Sequence, residues 1–107
     1  MTWTVEILNA EVKAELDTLP RDIRAKFEHI VRLIGEFGLE QVHEPYIKHL
    51  DGPLWEMRMK GRDGIARALY VTAREKRVVV VRAFRKKTQK TPRREITLGL
   101  KRAEEVT

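Results

Sequence analysis

The sequence of 107 residues contains no cysteine. The protein therefore has no disulfide framework, no thiol nucleophile and no thiolate metal site, a composition that fits a reducing compartment. No apolar stretch approaches the ~20 residues of a membrane helix. The first twenty residues carry Glu6, Glu11, Glu15 and Asp17, which argues against a signal peptide. These absences predict a cytoplasmic protein that does not contact a membrane.

Two familiar kinds of cofactor site are also missing. The three histidines form neither an HExxH motif nor a compact set of metal ligands. Gly52, Gly61 and Gly64 are spaced as hairpin turns, and none precedes the GK[ST] signature of a nucleotide-binding loop. We therefore expect no metal or other cofactor, and an ATPase is excluded.

The length and a hydrophobic content of 42% predict one domain over residues 1–107. Its charge is unevenly distributed. Residues 1–47 hold five Lys/Arg against nine Asp/Glu, whereas residues 48–107 hold seventeen against seven. The densest run has seven cations and no acid, namely Arg82, Arg85, Lys86, Lys87, Lys90, Arg93 and Arg94. Such clustering favours a polyanionic partner such as a nucleic-acid backbone.

The first half of the chain shows the period of helices. A short first strand is followed by a helix from the N-cap Asn9 to Leu16. Pro20 opens a second helix with apolar residues at helical spacing, and Gly35 and Gly38 mark its end. The pattern predicts a helix hairpin with one buried stripe.

From Tyr46 onward the period changes to two, which is typical of strands. Three strands, over residues 54–60, over residues 65–72 and from about Arg77, are predicted to form an antiparallel meander with tight four-residue turns. A C-terminal helix should begin with Thr91 as N-cap and Pro92 at the first helical position. The sequence thus predicts an α+β fold: an antiparallel sheet of about four strands, a helix hairpin packed on one face, and a short C-terminal helix.

The predicted register places Arg58 opposite Arg67, and Arg67 opposite Arg82. The face expected to pack against the hairpin carries Trp55, Met57, Met59, Ala66, Ala68, Tyr70, Val79 and Val81. The other face carries Glu56, Arg58, Lys60, Arg67 and Arg82 among Leu54, Leu69, Val71 and Val80. Because Glu56 can neutralise only one arginine, this basic face predicts a phosphate-binding concavity, with a salt-bridged network as the alternative.

The same residues resemble a known family. The order of elements is combined with Lys48-x-Leu50-x-Gly52-x-Leu54-Trp55-Glu56-x-Arg58, with Arg67-x-x-Tyr70, and with Phe84-x-Lys86-Lys87-x-x-Lys90-Thr91-Pro92-x-x-Glu95-Ile96. Over nearly its whole length the chain is similar to the HigB-like, phage-derived branch of the RelE/ParE toxin superfamily. The segment from Phe84 to Ile96 is the most specific part of the match.

The resemblance implies a RelE-like fold and a type II toxin that cleaves messenger RNA on the ribosome. It implies a cognate antitoxin as partner, typically a helix-turn-helix DNA-binding protein for HigB-like members. Cleavage in RelE-like nucleases needs no metal, because the 2′-hydroxyl of the RNA attacks the neighbouring phosphate and leaves a cyclic phosphate and a free 5′-hydroxyl.

Four residues are candidates for catalysis on this basis, Glu56, Arg58, Arg67 and Lys87. The three cations would stabilise charge on the phosphate, at ~3 kcal/mol per well-placed donor. Glu56 would accept the 2′-hydroxyl proton, and Lys86 or Lys87 would protonate the leaving oxygen if nearby cations lower its pKa. The cations expected to bind the RNA backbone are Lys48, Lys60, Arg82, Arg85, Lys86, Lys90, Arg93 and Arg94.

Two other functions remain open for a chain with this pattern. A ParE-like protein would have the same fold and inhibit DNA gyrase without cutting nucleic acid, although ParE members generally lack the basic set that includes Arg58 and Arg67. A non-catalytic RNA- or ribosome-binding module would use the basic face only to position phosphates.

Overall fold

The computed structural model describes residues 2–86 and 90–107 of the chain. The elements in chain order are β1 (Thr4–Ile7), α1 (Ala10–Asp17), α2 (Arg21–Phe37), a 3-10 turn (Leu39–Gln41), β2 (Ile47–Asp51), β3 (Leu54–Gly61), β4 (Gly64–Ala73), β5 (Arg77–Lys86) and α3 (Arg93–Ala103). The five strands form one sheet in the order β1-β5-β4-β3-β2. Strand β1 runs parallel to β5, and all other neighbours are antiparallel. None of the described helices is both long and apolar enough to span a bilayer.

The predicted α+β class is confirmed, but the sheet is mixed and has one strand more than expected. The additional strand, β2, lies at the edge beside β3, and only Ile47 of its five residues is buried. Because so few of its residues are buried, β2 has no alternation of apolar and polar residues from which a strand could be predicted. The parallel pairing of β1 with β5 places Val5 beside Val78. These residues are so far apart in the sequence that no local pattern relates them.

The helix hairpin forms as the sequence predicts. The side chain of Asn9 accepts the N–H of Val12 at 3.0 Å and caps α1. Helix α2 ends at Gly38, whose φ of +87° favours glycine and whose N–H donates to the carbonyl oxygen of Ile34 at 2.9 Å. Gly35, expected near the helix end, lies inside α2.

The sheet has an apolar core on each face. Helices α1 and α2 cover the face that includes Met57, Ala68 and Tyr70, and α3 covers the face that includes Leu54 and Leu69. Tyr70 is 1% exposed, as predicted for a core residue, whereas Trp55 is 39% exposed, so its assignment to the core was wrong. Trp55 lies near the β2 edge and meets the ring of His49 edge-on, with centroids 5.0 Å apart.

The register between β3 and β4 is as predicted, with Arg58 opposite Arg67. The predicted register between β4 and β5 was wrong, because Arg67 lies opposite Phe84 and Arg82 lies opposite Leu69. Only three residues separate Ala73 from its partner Arg77. Val79 and Val81 consequently pack on the α3 face and Val80 on the hairpin face, the reverse of the prediction.

A second irregularity follows in β5, where the pairing with β4 shifts between Val80 and Arg82. Strand β1 pairs with β5 only as far as Val80, so the next backbone groups of β5 need other partners. The carboxylate of Glu15 accepts the N–H of Ala83 at 3.2 Å, and the guanidinium of Arg102 donates to the carbonyl oxygen of Val81 at 2.9 Å. These side chains from α1 and α3 therefore complete the edge of β5.

Candidate functional site

Four polar residues from adjacent elements meet beneath the start of α3. Glu56 of β3, Arg67 of β4, Lys86 of β5 and Thr91, which precedes α3, are each less than a tenth exposed. We refer to these four residues as the buried polar cluster. Their convergence follows from the strand pairing, since residues two apart on neighbouring antiparallel strands share a face as diagonal neighbours.

The carboxylate of Glu56 is the centre of the cluster. Its Oε1 atom lies 3.4 Å from Nε of Arg67, and among the described residues this buried nitrogen has no partner in proper hydrogen-bond geometry. The other oxygen, Oε2, accepts a hydrogen bond from the hydroxyl of Thr91 at 2.8 Å. That hydroxyl oxygen in turn accepts a longer contact from Nζ of Lys86 at 3.4 Å. Glu56 is thus held between an arginine and a hydroxyl that also faces a lysine.

Thr91 was expected to cap α3, and the structure shows that this prediction was wrong. Helix α3 begins at Arg93, its N-cap position is Pro92, and no side chain caps it. The hydroxyl of Thr91 is directed to Glu56 instead. The sequence offered no signal to separate the two roles, because a threonine before a proline and a helix fits a cap equally well.

The cluster carries more positive than negative charge. Burial lowers the pKa of the Lys86 ammonium, and the nearby charges of Arg67, Arg58 and Lys48 lower it further, while Glu56 opposes them. Burial also lowers the pKa of Arg67, against the attraction of Glu56, but a guanidinium remains charged at any physiological pH. The site therefore combines a permanently cationic arginine with a lysine that gives up its proton more readily than usual.

Two cavities share Ile65 in their walls, and Arg67 lines one of them while Lys86 lines the other. The first, which we call the arginine cavity, has a volume of about 480 Å³ and is lined by residues that include Tyr46, Arg58, Lys60 and Arg67. The second, which we call the lysine cavity, has a volume of about 520 Å³ and is lined by Asp63, Gly64, Ile65, Arg85 and Lys86. Cations line both cavities, and such a surface suits a polyanionic ligand.

Five of the twelve predicted site residues line these cavities, Arg67 among them. Arg58 and Lys60 line the arginine cavity, and Arg85 and Lys86 line the lysine cavity. Lys48 lies on β2 opposite Glu56 and is exposed. Lys87, proposed from the sequence as catalytic, lies outside the described residues.

The remaining predicted cations differ in their surroundings. Lys90 and Arg94 are exposed, and Arg93 forms an exposed ion pair with Asp51 at 2.8 Å. Arg82 is directed away from the cluster into contacts with two carboxylates, those of Glu15 at 2.9 Å and Glu95 at 2.7 Å. Because both carboxylates neutralise Arg82, we do not include it in the proposed site.

Sequence reasoning missed three residues that the structure places at the site. Thr91 belongs to the buried polar cluster, and Lys26 of α2 and Tyr46 line the arginine cavity. Lys26 is separated from Arg58 by 32 positions in the sequence, so only the packing of α2 against β3 brings the two together. No local pattern could have indicated this contact.

A five-stranded sheet with a helix hairpin on one face and a C-terminal helix over a basic site defines a RelE-like fold. The structure superimposes on a mutant of E. coli toxin RelE in the free state with a TM-score of 0.66 and 14% identity, covering 95% of this chain and 98% of that one. It matches RelE in the RelE–RelB complex of the archaeon Pyrococcus horikoshii OT3 with a TM-score of 0.56 and 20% identity, covering 79% of this chain and 96% of that one.

The chain itself belongs to the family of phage derived Gp49-like proteins (DUF891), which matches residues 14–104. No curated protein matches the sequence. The RelE-like fold and the phage-derived family to which the sequence resemblance pointed are thereby confirmed, and the HigB-like branch stays a prediction.

Proposed function

We propose that this protein is a type II toxin, an endoribonuclease that cleaves messenger RNA on the ribosome without a metal ion. The observation that carries the proposal is the buried polar cluster, in which a carboxylate meets an arginine and a lysine of lowered pKa, each of which lines a cavity. The membership in the Gp49-like family and the RelE-like fold support it.

In the proposed mechanism, the scissile phosphate lies over Arg67 with Arg58 beside it, both of which line the arginine cavity. The 2′-hydroxyl oxygen forms a bond to phosphorus, and the bond from phosphorus to the 5′-oxygen breaks. The two arginines stabilise the charge that develops on the phosphate, an effect worth ~3 kcal/mol per well-placed donor. Lys87 would add to this charge from its position next to Lys86 in the sequence.

The proton transfers would use the two remaining ionisable groups of the cluster. Glu56, its single carboxylate, would accept the proton of the 2′-hydroxyl. Lys86 would donate a proton to the leaving 5′-oxygen, a role for which a lowered pKa is an advantage. Contact of Thr91 with both groups would keep them in a fixed relation.

A cognate antitoxin is the second part of the proposal. The archaeal structure of the same fold is a complex of RelE with RelB, which supports a stable protein partner for this chain. For a HigB-like protein we propose a helix-turn-helix DNA-binding antitoxin. A neighbouring reading frame for such a protein that co-purifies with this chain would support the assignment, and an isolated gene whose product is harmless would count against it.

The decisive experiment is cleavage of a programmed messenger RNA by the purified protein, with and without ribosomes, mapped by primer extension. Arg58→Ala should slow cleavage about 100-fold, as expected for loss of a donor worth ~3 kcal/mol. Arg74→Ala is the matched control, because Arg74 is an exposed arginine in the turn between β4 and β5. Inhibition of DNA gyrase without any RNA cleavage would instead identify a ParE-like activity, and graded loss of RNA binding without cleavage would identify a binding module.

A further inference from the structure

The wall of the arginine cavity contains an aromatic ring that neither catalysis nor phosphate binding explains. Tyr46 is half-buried and lines the cavity together with four cations, Lys26, Arg58, Lys60 and Arg67, and none of the described lining residues is a carboxylate. A volume of about 480 Å³ is in the range of small-ligand sites, ~300–1,000 Å³. The cavity therefore offers both a flat apolar surface and excess positive charge.

Backbone and side-chain contacts fix the position of this ring. The carbonyl oxygen of Tyr46 accepts the N–H of Arg58 at 2.8 Å, and the N–H of Tyr46 donates to the carbonyl oxygen of His43 at 3.0 Å. The ring of His29 on α2 meets the Tyr46 ring edge-on, with centroids 6.0 Å apart and planes at 68°. Tyr46 is thus held next to the arginine that the proposed mechanism uses.

We propose that the arginine cavity is a nucleobase subsite, in which one base of single-stranded RNA stacks on Tyr46 while the adjoining phosphate binds Arg58 and Arg67. This inference rests on the proposed function for the identity of the polyanion. Proteins recognise single-stranded RNA by stacking unpaired bases on aromatic side chains beside a cationic groove. Lys26 and Lys60, on opposite elements of the cavity, would hold the backbone on either side of the stacked base.

The test measures binding to a short 2′-O-methyl RNA, which cannot be cleaved because its 2′-oxygens carry no proton. Fluorescence anisotropy, on free RNA and on RNA placed in ribosomes, gives the dissociation constant for the wild type, Tyr46→Ala and Tyr46→Phe. Phe37→Ala is the control, since Phe37 is 60% exposed at the other end of α2 from Lys26. Thermal melts of all variants verify that each is folded.

We expect Tyr46→Ala to weaken binding about 10-fold, within the range of base–aromatic stacking, and Tyr46→Phe and Phe37→Ala to change it less than about 2-fold. In a series of RNAs that each carry one abasic site at a different position, a single position should weaken binding to the wild type by about the same factor as Tyr46→Ala does. At that position, Tyr46→Ala should cause no further loss, because both changes remove the same contact.

Three results would overturn the inference. Unchanged binding by Tyr46→Ala would show that the ring contacts no base. If Tyr46→Ala weakened the binding of intact and fully abasic strands equally, the cavity would bind any polyanion and not a base. If the wild type bound neither free RNA nor RNA placed in ribosomes, RNA would not be the ligand. Position-specific binding without cleavage of ordinary RNA would instead refute the nuclease and leave the subsite standing, so that the two failures can be distinguished.

Discussion

The hydroxyl of Thr91 provides the sharpest test of the buried polar cluster, because the sequence pattern predicts that it caps α3 whereas in the structure it binds Glu56. Thr91→Val keeps the shape of the side chain but removes the hydrogen bond to Oε2 of Glu56, which is 2.8 Å long and buried. A buried hydrogen bond to a charged group contributes ~1.5–3 kcal/mol, so we expect a loss of about 2 kcal/mol in the free energy of unfolding. For a domain of this size such a loss lowers Tm by about 8–10 °C.

The assay is thermal and urea denaturation of the purified protein. Thr97→Val on α3 is the control, since Thr97 is an exposed helical threonine. Thr91→Asp then separates the two interpretations. If Thr91 capped α3, the variant should be at least as stable as the wild type, because aspartate is a better N-cap than threonine. If Thr91 instead binds Glu56, the substitution buries a second carboxylate beside the first and the protein should lose stability. A Thr91→Asp protein as stable as the wild type would refute our account of the cluster.

Two further predictions concern protonation and the edge of β5. If Lys86 donates the proton to the leaving oxygen, the single-turnover cleavage rate should fall as pH rises through its lowered pKa, and Lys86→Arg should slow cleavage and abolish that fall, because a guanidinium does not release its proton; a profile identical to that of the wild type from about pH 6.5 to 10 would contradict the role. Burial acts to raise the pKa of Glu15, but hydrogen bonds and charge from Arg102 and Arg82 lower it overall, so its stabilising effect is present at neutral pH and is lost as pH falls below about 4.5. Arg102→Leu should lower the free energy of unfolding, measured by urea denaturation at pH 7, by about 3 kcal/mol, whereas the exposed control Lys101→Leu should have a small effect. The difference in stability between Arg102→Leu and the wild type should shrink in acid, and a difference independent of pH would contradict the pairing of Arg102 with Glu15.

Elements with a local signature were predictable from the sequence. Asn9 as a cap, the apolar stripe of α2 and the alternation in β3 each depend on neighbours within a few positions. The structure confirms the cap, the stripe from Ile23 to Ile34 and the buried face of Met57 and Met59, whereas Phe37 at the end of the stripe is exposed. The parallel contact of β1 with β5 and the approach of Lys26 to Arg58 depend on packing between distant segments. Such contacts leave no period in the sequence.

The strand register explains why only part of the basic face was predicted correctly. The turn after β4 is one residue shorter than expected, which reverses the faces of Val79, Val80 and Val81. The irregularity between Val80 and Arg82 adds a second shift of one residue. Since side chains alternate with a period of two, the second shift restores the predicted faces from Arg82 onward.

The same two shifts decide which cation reaches the buried polar cluster. Together they displace β5 by two residues against β4, so that Arg82 lies opposite Leu69 and Lys86 lies opposite Ile65. Lys86 is thereby a diagonal neighbour of Arg67. Beyond the end of β1, the carbonyl oxygen of Val81 and the N–H of Ala83 need other partners, and Arg102 and Glu15 supply them. With this register a lysine, Lys86, rather than a second arginine, reaches the cluster around Glu56. Burial among cations makes a lysine release its proton more readily, whereas an arginine stays protonated, so the register of β5 and the proposed proton transfer are parts of one arrangement.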